Sequence, residues 1–360
     1  MDSGNYLDDP QLKAPKRGRF GWVLLALTAV ALFIGSQLSS PYLIEQPGPV
    51  FNVLGTEGKN AVITIVDAKS YATDGALDLL TVNLLGSPGQ TPTWGEVLGA
   101  WLDPSKAITP VEEIFPKNVS SNEVNRQNDL AMQDSQSQAT AAALRALGYR
   151  YSYRVFVDSL SKTGAAKGFI KPGDYIDKAN GKAVTGIMGL RSIVQDGKGA
   201  PVKISGVRAG KPFEVTVTPK LSQGVWRLGV YVGTDFKFPV KVQLTLNDVG
   251  GPSGGMMFAL GIYDKMTPGS LTGGQIIAGT GTIDETGTVG PIGGIQQKMY
   301  GAQRAGAKWF LAPAENCGEV VGHIPAGLQV VKVSNYTQAL SAVKQIASKH
   351  SIAGLPTCTK

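Results

Sequence analysis

Histidine is nearly absent from this 360-residue chain, which contains only His323 and His350. The first lies in a loop-like VGHIPAG and the second in a lysine-rich SKHS, and neither context marks a general base for a Ser–His–Asp arrangement. Cysteine is equally scarce. Cys317 and Cys358 stand apart with no C-x-x-C pair, which argues against a metal centre. In an oxidising compartment two such residues can form one disulfide, although sequence alone supplies none of the geometry a disulfide demands. Charged residues make up 17%, against about 25% in soluble domains. The net charge of +7 is spread thinly, with no cluster of Lys and Arg interleaved with aromatics, so nucleic acid is not an expected partner. No G-x-x-x-x-G-K-[ST] phosphate loop occurs in these residues, and no cofactor is implied.

What is present begins with one long apolar run. Residues 20–38, FGWVLLALTAVALFIGSQL, carry no charge and span about 28 Å as a helix, close to the hydrocarbon thickness of a bilayer. Lys13, Lys16, Arg17 and Arg19 precede it and no basic residue directly follows, so residues 1–19 are expected on the cytoplasmic side. A cleaved signal peptide has the same outline, but no A-x-A site follows, which favours a retained single-pass membrane anchor. Either way the rest of the chain is expected outside the cytoplasm.

Residues 39–152 contain strand-like stretches at 61–68 and 77–85, punctuated by PGP and SPGQ, and read as a β-rich stalk or packing layer. Their last part, 132–148, is rich in alanine and ends in glycine, which predicts a helix with a glycine stop. The segment GFIKPGDYIDKANGKAV (168–184) follows, with a helix-like stretch at 187–195 and then PVKISGVRAGKPFEVTV. Residues 153–222 resemble a PDZ domain. The resemblance implies a sheet edge beside a helix, to which an extended peptide adds a strand. No G-L-G-F-like carboxylate loop precedes Val155.

The chemistry lies in two blocks further on. A strand-like PVKVQLTLN (239–247) leads into DVGGPSGGMMFALGIYDKM, which places Ser253 between flanking glycines at the start of a helix. Backbone N–H groups of Gly251, Ser253 and Gly254 are then candidates for an oxyanion hole. Neither histidine has a context that marks it as catalytic, and the alternative base is a lysine. Lys298 is offered by VGPIGGIQQKMYGAQRAGAKWFLAPAEN, on a short helix opened by Gly293-Gly294 whose apolar side is Ile295, Met299 and Ala302. A lysine desolvated beside that side is pushed toward the neutral form that accepts a proton.

These two blocks resemble the proteolytic domain of Lon proteases over residues 235–345, with a tail at 346–360. The resemblance implies a Ser253–Lys298 dyad and assigns Thr280 the place of a threonine beside the lysine. The separations of 45 and 18 positions from Lys298 agree. Gly250 and Thr282 stand where acidic residues often occur in that family. The whole layout is also similar to bacterial cell-surface proteases that join one membrane helix, a PDZ domain and a Lon-type domain without an ATPase module. The expectation is therefore an α+β protein acting as an ATP-independent serine endopeptidase on exported or membrane-linked polypeptides, with assembly into a homo-oligomer left open. The alternative is an inactive surface adaptor that binds peptides through its PDZ domain.

Overall fold

The computed structural model describes residues 17–115, 121–184, 186–222, 224–246 and 249–359, with the side chains of 17–20 and 121 outside the description. The described residues form two compact units, one drawn from 1–44 and 84–117 and the other from 45–83 and 118–360. Both helices and strands are mixed through the chain, giving an α+β protein.

In the smaller unit, α1 (Arg17–Ser36) carries the apolar run. Its described side chains, among them Trp22, Leu25, Leu27, Val30 and Phe33, are exposed and lie all round the helix. Among the described residues no helix is long and apolar enough to cross a membrane. The run called from Phe20 begins outside the described side chains, and the cytoplasmic tail up to residue 16 lies outside the described residues. Helix α2 (Trp94–Trp101) opens with a capping box. The Thr93 hydroxyl accepts the Glu96 N–H, and the Glu96 carboxylate accepts the Thr93 N–H at 2.7 Å. Its inner residues Val97 and Ala100 pack with Ile44, Tyr42 and Ile108, and the short α3 (Val111–Ile114) follows.

To the larger unit belong most of β1 (Tyr42–Asn52), β2 (Ile63–Ile65) and most of β3 (Ala76–Leu85). Then comes the long helix α4 (Ser121–Ala146), followed by Gly148 at φ 82°. This helix starts earlier than its alanine-rich half suggests, because the preceding SNEVNRQND carries no apolar stripe that sequence could report. Residues 152–237 form a sheet of β4 (Ser152–Leu160), β5 (Tyr175–Ala179), β6 (Val202–Arg208), β7 (Lys211–Val217) and β8 (Val230–Lys237) in the order β7-β6-β5-β4-β8. Helix α5 (Ile187–Asp196) packs Leu190 and Val194 onto Val155, Ile176 and Ile204. The expected hairpin after β5 is present. Asn180 and Gly181 both have positive φ (50° and 77°), as a two-residue hairpin loop requires.

Next come β9 (Val242–Leu244), α6 (Gly255–Met266), β10 (Ile276–Gly279), α7 (Ile295–Arg304), β11 (Trp309–Pro313), α8 (Cys317–Val320), β12 (Gln329–Val333) and α9 (Tyr336–Lys349). A sheet in the order β12-β11-β10-β3-β1 organises them, with β12, β11, β10 and β3 parallel. Alternate residues separate its faces. Leu77, Leu79, Ile277, Leu311 and Val331 meet α6 and α9, while Leu80, Ala278, Phe310 and Val330 meet α7. Burial on both faces explains why these strands read as unbroken apolar runs. From the region 39–152 read as a β-rich stalk or packing layer, β3 pairs with β10 inside this sheet. The strand expected over 239–247 is limited to β9, which pairs with β2, and Asn247 lies outside the described residues. Cys317 and Cys358 are joined in a disulfide, and Lys332 N–H donates to Pro356 O at 2.8 Å, so the tail is tied back along β12.

Candidate active site

Ser253 lies one residue before Gly254, the N-cap of α6. The helix starts at a crowded point. A Cβ on Gly255 would sit 2.8 Å from Ser135 Oγ and 3.0 Å from Ile283 Cγ2, so glycine there lets the chain pass. The backbone of Ser253 is held from outside its own loop. Its carbonyl accepts the Gly281 N–H at 2.8 Å and the Thr280 hydroxyl at 3.0 Å.

Lys298 comes from the opening turn of α7. Gly294 supplies a left-handed N-cap (φ 68°), and Ile295, Met299 and Ala302 are fully buried as the helical spacing predicts. Lys298 adjoins that face and is itself only 3% exposed. Its Nζ donates to Ser253 Oγ at 2.7 Å and to Thr280 Oγ1 at 3.2 Å. Three residues far apart in the chain thus meet at one amine. Desolvation alone pushes the Lys298 pKa down from 10.5 to about 8. Once neutral, the amine can accept the Ser253 proton along the same short contact.

Of the three N–H groups expected to face an oxyanion, that of Gly251 is taken, since it donates to Asn128 O at 2.9 Å. Those of Ser253 and Gly254 have no acceptor among the described residues and lie at the positive end of α6. This narrows the candidates to two. Neither histidine is bonded to Ser253; His350 instead touches Gln275 at 3.5 Å. Among the described residues no group of His, Cys, Asp and Glu is placed to hold a metal ion.

Residues 246–347 match the Lon protease (S16) C-terminal proteolytic domain. They form a Lon-type serine protease domain. The chain is 32% identical over 125 residues to a Lon protease of Rickettsia conorii, covering 34% of this chain and 15% of that protein. It is 30% identical over 95 residues to Lon protease 2 of Bacillus subtilis, covering 26% of this chain and 17% of that protein. The chain therefore spans less than a fifth of these relatives' length. Among solved structures, it is similar to the PDZ domain of an SdrC-like protein from Listeria innocua at 22% identity. That match covers 22% of this chain and 92% of the other, with a TM-score of 0.21.

Around the Lon-type domain the structure adds residues that sequence did not single out. From α4, Asn128 O holds the Gly251 N–H and Ser135 Oγ donates to Pro252 O at 2.9 Å, so this helix braces the serine loop at two adjacent residues. Nothing in the local sequence of either residue announces that role. Asn316 was within sight, in the LAPAEN that ends the lysine block. It is 2% exposed, and its amide accepts the Ile292 N–H at 3.0 Å and donates to Ile292 O at 2.9 Å, anchoring the loop that opens α7. Asn316→Ala leaves both groups unpaired and is expected to cost about 1–3 kcal/mol. Thermal unfolding of the purified protein checks this, and an unchanged midpoint would show that the loop is held by other contacts.

The 152–237 sheet has its own groove of about 940 Å³, walled by Ile187, Leu190 and Val194 of α5 and by Leu228, Val230 and Val232 at the start of β8. Gly164 and Gly229 touch at its end, where a Cβ on Gly164 would lie 2.6 Å from Gly229 O.

Proposed function

We propose that the protein is a membrane-anchored serine endopeptidase that needs no ATP and acts outside the cytoplasm on exported or membrane-linked polypeptides. The observation that carries this is the 2.7 Å contact between a buried lysine amine and Ser253 Oγ in a Lon-type domain. In this scheme Ser253 Oγ attacks the substrate carbonyl carbon while its proton passes to Lys298 Nζ. The Ser253 and Gly254 N–H groups stabilise the resulting oxyanion. The tetrahedral intermediate collapses, the peptide C–N bond breaks, and Lys298 returns the proton to the leaving amine. Water then hydrolyses the acyl-serine, with Lys298 again taking and returning a proton. Thr280 orients the amine and the Ser253 carbonyl together, acting as a positioning residue.

Support for the anchor is the uncharged run 20–38 behind four basic residues, together with the all-round apolar exposure of α1. Support for ATP independence is the lack of a phosphate loop in these residues. The α5 groove, with apolar walls and a strand on one side, suits an extended peptide segment, which would bring substrates to the enzyme by strand addition. Purified full-length protein in detergent is expected to cleave an unstructured polypeptide such as casein in buffer without nucleotide. Adding ATP and magnesium should leave the rate unchanged. Ser253→Ala should remove cleavage while the circular dichroism spectrum is retained. Cleavage by Ser253→Ala at the wild-type rate would overturn the assignment of the nucleophile, and none by the wild type would favour the adaptor alternative.

A further inference from the structure

The exposed face of α2 is a stripe of large apolar side chains. This eight-residue helix turns Val97 and Ala100 inward, onto Ile44 and Ile108. Trp94, Leu98, Trp101 and the C-cap Leu102 recur at i, i+4, i+7 and i+8 and so share one outward face. These are large apolar side chains, and Trp101 and Leu102 are 75% and 78% exposed. Leaving such a stripe in water is costly, and no inner packing requires it.

The N-terminus of α2 is stitched to the end of α1. Trp94 N–H donates to Leu38 O at 3.0 Å, and Ser40 donates to Pro92 O through both its N–H (2.9 Å) and its hydroxyl (2.8 Å). A Cβ on Gly95 would sit 3.2 Å from Ser36 O, so the two helices approach closely where α1 ends. At that same end of α1, Phe33, Ile34 and Leu38 are also exposed. Trp94 is steadied by Tyr42, whose ring meets it edge-on at 5.9 Å. Tryptophan and tyrosine belong at the level of lipid headgroups, where a ring can bury its body and keep its polar edge wet.

We infer that α2 lies in the outer interface of the bilayer that α1 crosses, with Leu98, Trp101 and Leu102 inserted among the lipid chains and the Glu96 side facing water. The inference rests on the reading of α1 as a membrane span. A helix anchored in this way fixes the orientation of the emerging chain, which a single spanning helix free to rotate and tilt does not. The stripe carries no basic residue, so attachment is through apolar burial and does not depend on anionic lipid or low salt.

Nitroxide labels on the full-length protein in phosphatidylcholine vesicles test this. Single cysteines replace Val30, Leu98, Gly99 or Trp101, with the native disulfide left intact. Oxygen partitions into lipid and a nickel chelate into water, so their relative collision rates report depth. Labels at 98 and 101 should favour oxygen several-fold over the label at 99, unchanged in 0.5 M salt, and the label at 30 should lie deepest. If 30 is deep but 98 and 101 collide freely with the nickel chelate, the proposal fails while the spanning helix stands. If 98 and 101 are shielded from both reagents, a second copy or another protein covers the stripe, and the proposal also fails. A water-accessible label at 30 removes the spanning helix and the proposal with it.

Discussion

Lys298→Arg is expected to reduce peptide turnover by about 10⁴-fold or more while leaving the fold intact, the scale seen when a member of a catalytic unit is lost. Arginine keeps the charge and most of the stem, but it does not give up its proton in a protein, so it cannot take the proton of Ser253. The wild-type pH profile should report the same amine. Burial lowers the Lys298 pKa to about 8, so the neutral form is a minority at pH 7. Turnover should rise about tenfold per pH unit below that value and level off above it. Burial also has a cost in stability. A folded-state pKa below the ordinary 10.5 means that the unfolded chain holds the proton more tightly between about 8 and 10.5. Stability therefore rises with pH through that window, and the full penalty of about 3 kcal/mol applies below it. Lys298→Met, which keeps the volume and removes the charge, should accordingly be inactive yet more heat-stable at pH 7. An active Lys298→Arg protein would show that another group is the base. A less stable Lys298→Met protein would show that the contacts to Ser253 and Thr280 outweigh the desolvation.

The second large effect concerns the disulfide. Cys317 and Cys358 enclose a separation of 41 residues, for which the chain-entropy relation gives about 4 kcal/mol of stabilisation. Cys358→Ser is expected to lower the unfolding midpoint of the protease region by about 10 °C. Turnover at low temperature should be less affected, since neither sulfur touches Ser253, Thr280 or Lys298. Reducing agent should destabilise the wild type to the same level and leave the variant unchanged. A variant as stable as the wild type would mean that the tail is held by its other contacts, such as Lys332 to Pro356.

Short-range patterns by themselves determined a good part of this protein. The left-handed turn at Asn180-Gly181, the apolar face of α7 and the glycines before α6 are local, and each is written in a few adjacent residues. Ser253 and Lys298 were legible because each stands in a glycine-marked block that resembles the Lon proteolytic domain, and their side chains meet at 2.7 Å. The tertiary structure decided what depends on residues brought together across long loops. Ser135 reaches Pro252 across 117 positions, and Asn128 claims the Gly251 N–H, from a stretch of α4 whose polar sequence suggests only a solvated helix. Insertion of β3 beside β10 was equally hidden, since an apolar strand reads the same in a stalk as in a buried parallel sheet. The depressed pKa of Lys298 belongs here too. Sequence supplied a lysine next to an apolar stripe, and only the closing of α7 over the sheet removed the water that would have held its pKa at the ordinary value.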